Sequence, residues 1–442
     1  MIENGETEKN PRPTNPALNF VFSRMSASTA SDRHLVGRLI HEKVPLPKAF
    51  SQLVGELEDS RISYSLEGLA SRDRYAWAHV EASGVTEPSE IRTISSRPDR
   101  GIPSPLELYF LTLFTNREWE DLCKEEEIIS DLGALTTRNV IEAVLADEPR
   151  TKKFVRAIQH EMHKLEENPA TVYDIGCGAF PILGLSAALH NPRARVVGLE
   201  INPLSARIAQ ALINKFVERG NLQAGQVKIM EADALEHPLP PKGSIDLLVS
   251  DTFGAGLMDE KGTELIARYA PLVNSTQGAI IPHRAKLAAT VWPLDIGITH
   301  DNTGKRVSKY SRFVLNPNGQ LMAVIPRNEW SDLEGGREMP IEEIPREIKG
   351  TLNFPANVSA VDFNRNYGVA VASEFILDSD AKNGLSRYES HVTSPALLGS
   401  GVVTVPENLK GEDPSRLAIS FALAPGTDSR TARAEVVRKR EG

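Results

Sequence analysis

Cysteine is almost missing from this chain of 442 residues: only Cys123 and Cys177 occur. Two thiols exclude a disulfide framework and a cysteine-rich zinc site, and they point to a reducing compartment, with the cytoplasm as the expected location. No run of about 18 uninterrupted apolar residues is present, so a membrane-spanning helix is not expected. Positive charge is not in excess either. A net charge of −9 argues against tracking of nucleic-acid phosphates and favours a cationic substrate. Met1 to about Arg33 lacks the apolar core of a signal peptide and the arginine-rich, acid-poor texture of a presequence. Its Asn, Pro, Ser and Thr read as a disordered tail.

What remains is ordinary soluble material. With 40% hydrophobic and 25% charged residues, the chain has enough apolar surface for a sizeable core and a length that suits about two to four domains. Residues 34–104 mix a short helical pattern, His34 to Ile40, with polar and strand-like pieces such as Tyr75 to Val80, and take no fold from the pattern alone. Residues 105–170 read as a helical lead-in, because Leu106, Tyr109, Phe110, Leu113 and Phe114, then Val140, Ile141, Val144 and Leu145, recur at helical spacing. Residues 171–291 alternate strands and helices. Strands are expected at 171–175, 194–199, 227–230, 245–249 and 278–281, with helices from about Pro181 to Leu189 and from Leu204 to Val217. Residues 292–425 turn β-rich, with apolar runs at 312–315, 321–325, 368–372, 402–405 and 417–421 separated by turns such as Asn316-Pro317-Asn318-Gly319. That texture predicts a β-barrel or sandwich. Residues 426–442 read as a solvated tail.

The strand Val172-Tyr173-Asp174-Ile175 runs into Gly176-Cys177-Gly178, and the next apolar run, Val196 to Leu199, ends in Glu200. Glycines at a strand end permit a tight turn and close approach of a ligand, and an acid at the next strand end suits ribose hydroxyls. A dinucleotide loop brings a helix N-terminus onto a pyrophosphate and tolerates no carboxylate in the way. Asp174, two residues before the first glycine, would repel phosphate but would accept from a cationic amino-acid group. The pattern therefore favours S-adenosyl-L-methionine. Asp233, in Glu231-Ala232-Asp233-Ala234 after the third strand, sits where an adenine-contacting acid is expected, with Ala234 beside it. Cys177, between the glycines, reads as a small packing residue.

In a doubly wound sheet, ligands bind beyond the carboxyl ends of the strands, and Asp174, Glu200, Asp233 and Asp251 all fall there. Asp251 opens a glycine-containing loop, Thr252 to Glu260, whose first and last carboxylates are nine residues apart. Two acids across a flexible turn can orient a planar guanidinium through paired charge-assisted hydrogen bonds. They also draw positive charge from an attacking nitrogen. The alternative is purely structural: Asp251 caps the loop, and Asp259 and Glu260 open the following helix.

From about Leu108 to Phe421 the chain resembles the protein arginine methyltransferases. The loop from Asp251 to Glu260 is similar to that family's double-acid loop, with Asp251 in place of a glutamate. Gly278-Ala279-Ile280-Ile281-Pro282-His283-Arg284-Ala285 resembles the segment leading from the sheet to the barrel. Tyr109-Phe110 resembles the aromatic helix that folds over the cofactor, and Ile129-Ser130-Asp131 with Thr136-Thr137-Arg138-Asn139 resembles the stretch after that helix. Tyr388-Glu389-Ser390-His391 lies where the family's Thr-His-Trp loop brings a histidine to the site. Phe180-Pro181 departs from the usual glycine-containing continuation, no arginine stands at the family's offset after Asp131, and His391 lacks the neighbouring tryptophan.

The resemblance implies a Rossmann-like class I methyltransferase sheet followed by a C-terminal β-barrel for substrate binding or dimerisation. It implies catalytic Asp251, Glu260 and His391, and cofactor contacts from Tyr109, Asp174, Gly176, Gly178, Glu200, Asp233 and Ala234. The acceptor would be free arginine or arginine in a protein. A homodimer is one arrangement the resemblance allows, and no metal, nucleic acid or membrane is called for. Two other readings stay open at this point: a small-molecule O- or N-methyltransferase, and a non-catalytic cofactor-binding scaffold.

Overall fold

The computed structural model describes residues 30–56, 91–94, 105–123, 148–165, 168–253, 257, 261–293, 298–300, 306–308, 313–315, 321–326, 331–354, 367–377, 387–390, 406–409, 411–424 and 433–439. At its centre five parallel strands are laid down in the order β3-β2-β1-β4-β5. They are β1 (Thr171–Ile175), β2 (Arg195–Glu200), β3 (Val227–Glu231), β4 (Leu247–Ser250) and β5 (Ala279–Ile281). Two of them are apolar because they are covered on both faces: Val172, Ile175, Leu247, Leu248 and Val249 are fully buried. The chain moves outward from β1 to β3, then returns to lay β4 against the other side of β1. Strand order reverses between β1 and β4, and that is where such a sheet opens a crevice.

Five helices precede the sheet among the described residues: α1 (Ala30–His41), α2 (Leu46–Glu56), α3 (Pro105–Leu111), α4 (Asn116–Cys123) and α5 (Glu148–His163). Helix α1 starts before Arg33, where a tail was expected. Neither α1 nor α2 stands apart, because Leu39, Phe50 and Leu53 are buried in the core that also holds Phe110, Val172 and Phe216. The Leu46 N–H donates to Asn221 Oδ1 at 3.3 Å, and Lys152 Nζ to the Gly55 carbonyl at 3.3 Å.

Within the sheet unit, α6 (Ile182–His190) follows β1, α7 (Pro203–Glu218) follows β2 and α8 (Gly262–Tyr269) follows β4. Helix α7 shows why the sequence breaks where it does. Asn202 Oδ1 accepts from the N–H groups of Leu204 and Ser205, both at 3.0 Å, and Pro203 occupies the first turn. Gly220, at φ 71°, follows the helix end.

The C-terminal region is antiparallel. Strand β6 (Arg284–Pro293) pairs with β8 (Tyr367–Ile376) over its full length, from Arg284 opposite Ile376 to Pro293 opposite Tyr367, and β9 (Arg387–Ser390) extends that sheet. A second sheet joins β7 (Ile348–Asn353), β10 (Leu417–Leu423) and β11 (Arg433–Arg438). Ile91–Ile94 pairs with Leu321–Pro326, so the N-terminal segment of unassigned fold reaches this region too. These sheets remain separate: among the described residues no pairing closes them into a barrel. The run expected at 402–405 lies outside the described residues.

Candidate functional site

Asp174 is 1% exposed at the end of β1. Its Oδ2 accepts the Gly184 N–H at 2.8 Å, in the first turn of α6. The preceding Pro181 offers no side-chain cap, so the carboxylate takes that place and holds the helix N-terminus. Gly184 is what allows it: an added Cβ would lie 3.0 Å from Asp174 Oδ2 and 2.9 Å from Val196 Cγ1. The other oxygen, Oδ1, is buried without a hydrogen-bond partner. Burial pushes the carboxyl up to about 7, against the Gly184 N–H, with Asp251 and Glu200 adding repulsion.

The glycine loop leans on Glu200. Glu200 Oε2 accepts from the Gly178 N–H and Oε1 from the Asn202 N–H, both at 2.8 Å. Burial raises the Glu200 carboxyl as well, opposed by those N–H groups. Both glycines have positive φ, 71° at Gly176 and 69° at Gly178. Their surroundings differ. A Cβ at Gly176 would collide with Thr252 Cγ2 at 2.2 Å, whereas a Cβ at Gly178 would meet no atom within 4 Å. Gly178 therefore borders open space beside Glu200. Cys177 is turned inward, where Gly198 leaves room for it, and burial pushes its thiol well up. It is a packing residue.

Asp251 leaves β4 across the reversal of strand order. Around it, buried Ser250 donates Oγ to the Ile175 carbonyl at 2.9 Å and pairs with Thr252 Oγ1 at 2.8 Å. Those hydroxyls lock the end of β4 to the end of β1. Beyond them the loop is anchored by apolar groups: Phe253 packs on Phe375 of β8 with ring centroids 5.1 Å apart, and Leu257 is 1% exposed at φ 68°. Gly262 is pressed against Phe253, since a Cβ there would come within 2.7 Å of the ring. Helix α8 opens at Gly262 behind Lys261, which makes no side-chain cap. The helix thus begins beyond Asp259 and Glu260.

Asp233 Oδ1 accepts the Leu235 N–H at 2.8 Å and shapes the turn after β3, while the Ala234 carbonyl accepts from Tyr269 Oη at 3.0 Å. Asp174, Gly176, Gly178, Glu200, Asp233, Ala234 and Asp251 all lie at or just beyond the carboxyl ends of the strands. Tyr109 is buried in α3, its phenol raised by burial and facing Arg219 at the end of α7, with its ring 6.4 Å from that of Phe110. Its neighbour Phe110 is the residue that touches the motif, 5.4 Å from Phe180. Glu260, His391, Ile129 to Asp131 and Thr136 to Asn139 lie outside the described residues. Gly184, Ser250 and Thr252 escaped the sequence reading; Gly184 left one trace, a glycine placed against propensity in the first turn of an expected helix.

No family model matches this chain, and no curated protein matches it. Solved structures do. It is similar to the PRMT1 enzyme–prozyme heterotetramer of Trypanosoma brucei with AdoHcy, at 13% identity over 65% of this chain and 95% of that one, with TM-score 0.35. Protein arginine methyltransferase 10 of Arabidopsis thaliana matches at 16% identity over 72% and 89%, with TM-score 0.38. An arsenic(III) S-adenosylmethionine methyltransferase of Chlamydomonas reinhardtii matches at 13% over 31% and 49%, with TM-score 0.24. At these TM-scores a shared fold does not follow from the likeness, so the fold rests on the chain's own strand order. No helix among the described residues is long and apolar enough to cross a membrane, and no cluster of side chains among them suits a metal ion.

Proposed function

We propose that this chain is an S-adenosyl-L-methionine-dependent N-methyltransferase that acts on a guanidino nitrogen of arginine, free or within a protein. The observation that carries the reading is Asp174. Its carboxylate occupies the N-terminus of α6, the place a dinucleotide pyrophosphate would need. Its second oxygen is a buried acceptor without a donor, which suits the ammonium of an amino-acid moiety. The residues fit the cofactor in two further respects: Gly178 borders open space, and Glu200 stands beside it at the end of β2 with lone pairs left for ribose hydroxyls.

When bound, the cofactor supplies an electrophilic methyl group. Asp174 receives its amino-acid end, the Gly176–Gly178 loop cradles it, Glu200 holds ribose, and Asp233 with Ala234 borders adenine. Asp251 accepts hydrogen bonds from the guanidinium and turns one nitrogen toward the methyl group, with Glu260 as its partner across the loop and His391 as a charge partner. The net charge of −9 agrees with a cationic acceptor. The antiparallel strands from β6 onward offer the surface on which the acceptor rests and through which a second copy pairs.

The test uses labelled methyl donor with free arginine, an arginine-rich peptide and a panel of hydroxylated metabolites. Label on a guanidine nitrogen is the expected result, and the acceptor that takes it separates free from protein substrates. Label confined to hydroxyl groups overturns the arginine reading, and calorimetry showing no binding of S-adenosylmethionine overturns the cofactor.

A further inference from the structure

The sheet brings a histidine to the rim that the motifs did not single out. Strands β4 and β5 are parallel neighbours, and the last paired positions are Val249 opposite Ile281. Asp251 and His283 each stand two residues beyond that pair, and the two chain segments meet again where Phe253 packs on Phe375, the neighbour of Ile376. His283 is half-buried. Its backbone is tied on both sides: its N–H donates to the Ile376 carbonyl at 2.8 Å, and its own carbonyl accepts the Ile341 N–H at 3.3 Å. It is therefore a fixed residue at the junction of the parallel sheet and the β6–β8 sheet. Those two units meet at the acidic loop as well, through Phe253 and Phe375. Imidazole is the side chain whose ordinary titration lies closest to neutral pH, which suits a residue that must take up and release a proton in each cycle.

We propose that His283 is a further charge partner of Asp251 and the proton acceptor of the site. The proposal rests on the guanidine methyltransferase reading. Transfer forms a nitrogen–carbon bond to the methyl carbon. The electron pair of the broken carbon–sulfur bond stays on sulfur as a neutral thioether, and the acceptor nitrogen sheds one proton. An imidazole nitrogen of neutral His283 takes that proton, becomes imidazolium on the strand end next to the Asp251 carboxylate, and releases it to water. Other charged groups on the surrounding elements are Glu342 and Glu343 of the turn that begins at Ile341, Arg284 beside His283, and Arg387 opposite Ile376. On the rim itself stand Asp174, Glu200, Asp233 and Asp251, of which Asp251 follows the strand next to β5.

Two measurements decide it. In His283→Gln, kcat at neutral pH is expected to fall about 100-fold with unchanged affinity for S-adenosylhomocysteine, and the acidic limb of the kcat/KM profile is expected to disappear. An intact acidic limb with near-normal kcat overturns the proposal. Independently of turnover, a proton NMR titration of the His283 ring in the otherwise wild-type protein is compared with the same titration in Asp251→Asn. Loss of the carboxylate is expected to lower the imidazole pKa by at least about half a unit, because an adjacent negative charge favours imidazolium. Identical titrations overturn the pairing. If the wild-type protein methylates no guanidine, the functional reading fails, while the titration still decides whether His283 and Asp251 are coupled.

Discussion

The two acidic corners of the rim are built on different principles. At the β1–β2 corner the carboxylates hold the backbone: Asp174 caps α6, and Glu200 fastens Gly178 and Asn202. At the β4 corner the loop is held by apolar anchors, Phe253 on Phe375 and the buried Leu257, together with the Ser250 and Thr252 hydroxyls. Acids at the first corner therefore serve the fold, and in the proposed function they serve ligand binding as well. The described anchors of the second corner are apolar side chains and hydroxyls. The corners are not independent, because Thr252 fills the space above Gly176.

The largest expected effect probes that division directly. Asp251→Asn should lower kcat by about 10²- to 10³-fold, the range for loss of one preorganised electrostatic contact. Its stability should fall less than that of Phe253→Ala, which removes a buried anchor of the loop. Labelled-methyl kinetics and thermal unfolding check the pair of outcomes, and a large drop in stability would erase the contrast between corners. The β1–β2 corner makes the opposite prediction, written in pH. Asp174 has a folded pKa of about 7, above its unfolded value of about 3.9. The fold thus binds the proton more tightly than the unfolded chain does. Its contribution is fully present below about pH 4 and is lost as pH rises toward 7. Urea midpoints of the ligand-free protein should fall over that window. Asp174→Asn should remove most of the slope, leaving a remainder of the same sign from Glu200, whose pKa is also raised.

The same contrast explains what was legible in the sequence. Parallel strands buried on both faces are apolar runs, so β1 and β4 stand out, and the helix expected from Leu204 to Val217 matches α7 to within a residue at each end. Acids ending strands could be placed on the rim because strand order alone puts them there. The features that escaped depend on contacts between segments distant in the chain. The capping of α6 by Asp174 needs the residue-184 position to be glycine, and the Ser250 hydroxyl matters only because β1 lies beside β4. Tyr109 shows the reverse limit: periodicity predicts its burial, but not that its hydroxyl meets Arg219. The β-rich texture after Trp292 gave antiparallel strands as expected, yet closure depends on which edges pair, and apolar runs carry no information about that.

Smaller effects sharpen the first corner. Glu200→Ala removes the acceptor of two backbone N–H groups and the group assigned to ribose. Cofactor affinity measured by calorimetry should fall about 10- to 100-fold, equivalent to about 1.5–3 kcal/mol for a hydrogen bond to a charged group. Stability should fall with it. An affinity loss without any stability loss would mean that Glu200 does not brace the loop.

Of the two loop glycines, Gly178 is expected to show the smaller change in stability on substitution, and it tests where the ligand lies. An alanine there keeps a φ of 69° at a cost of about 1–2 kcal/mol, but its methyl group enters space with no protein atom within 4 Å. At Gly176 the same substitution adds a collision with Thr252 Cγ2 at 2.2 Å, so Gly176→Ala should be the less stable of the two. If the cofactor occupies the space beside Glu200, Gly178→Ala must weaken S-adenosylmethionine binding by more than its backbone strain accounts for. A Gly178→Ala protein that unfolds near the wild-type midpoint and binds the cofactor with undiminished affinity would show that this cradle belongs to something else. The division between the two corners would then have to be drawn again, with the ligand on the Asp251 side of Thr252.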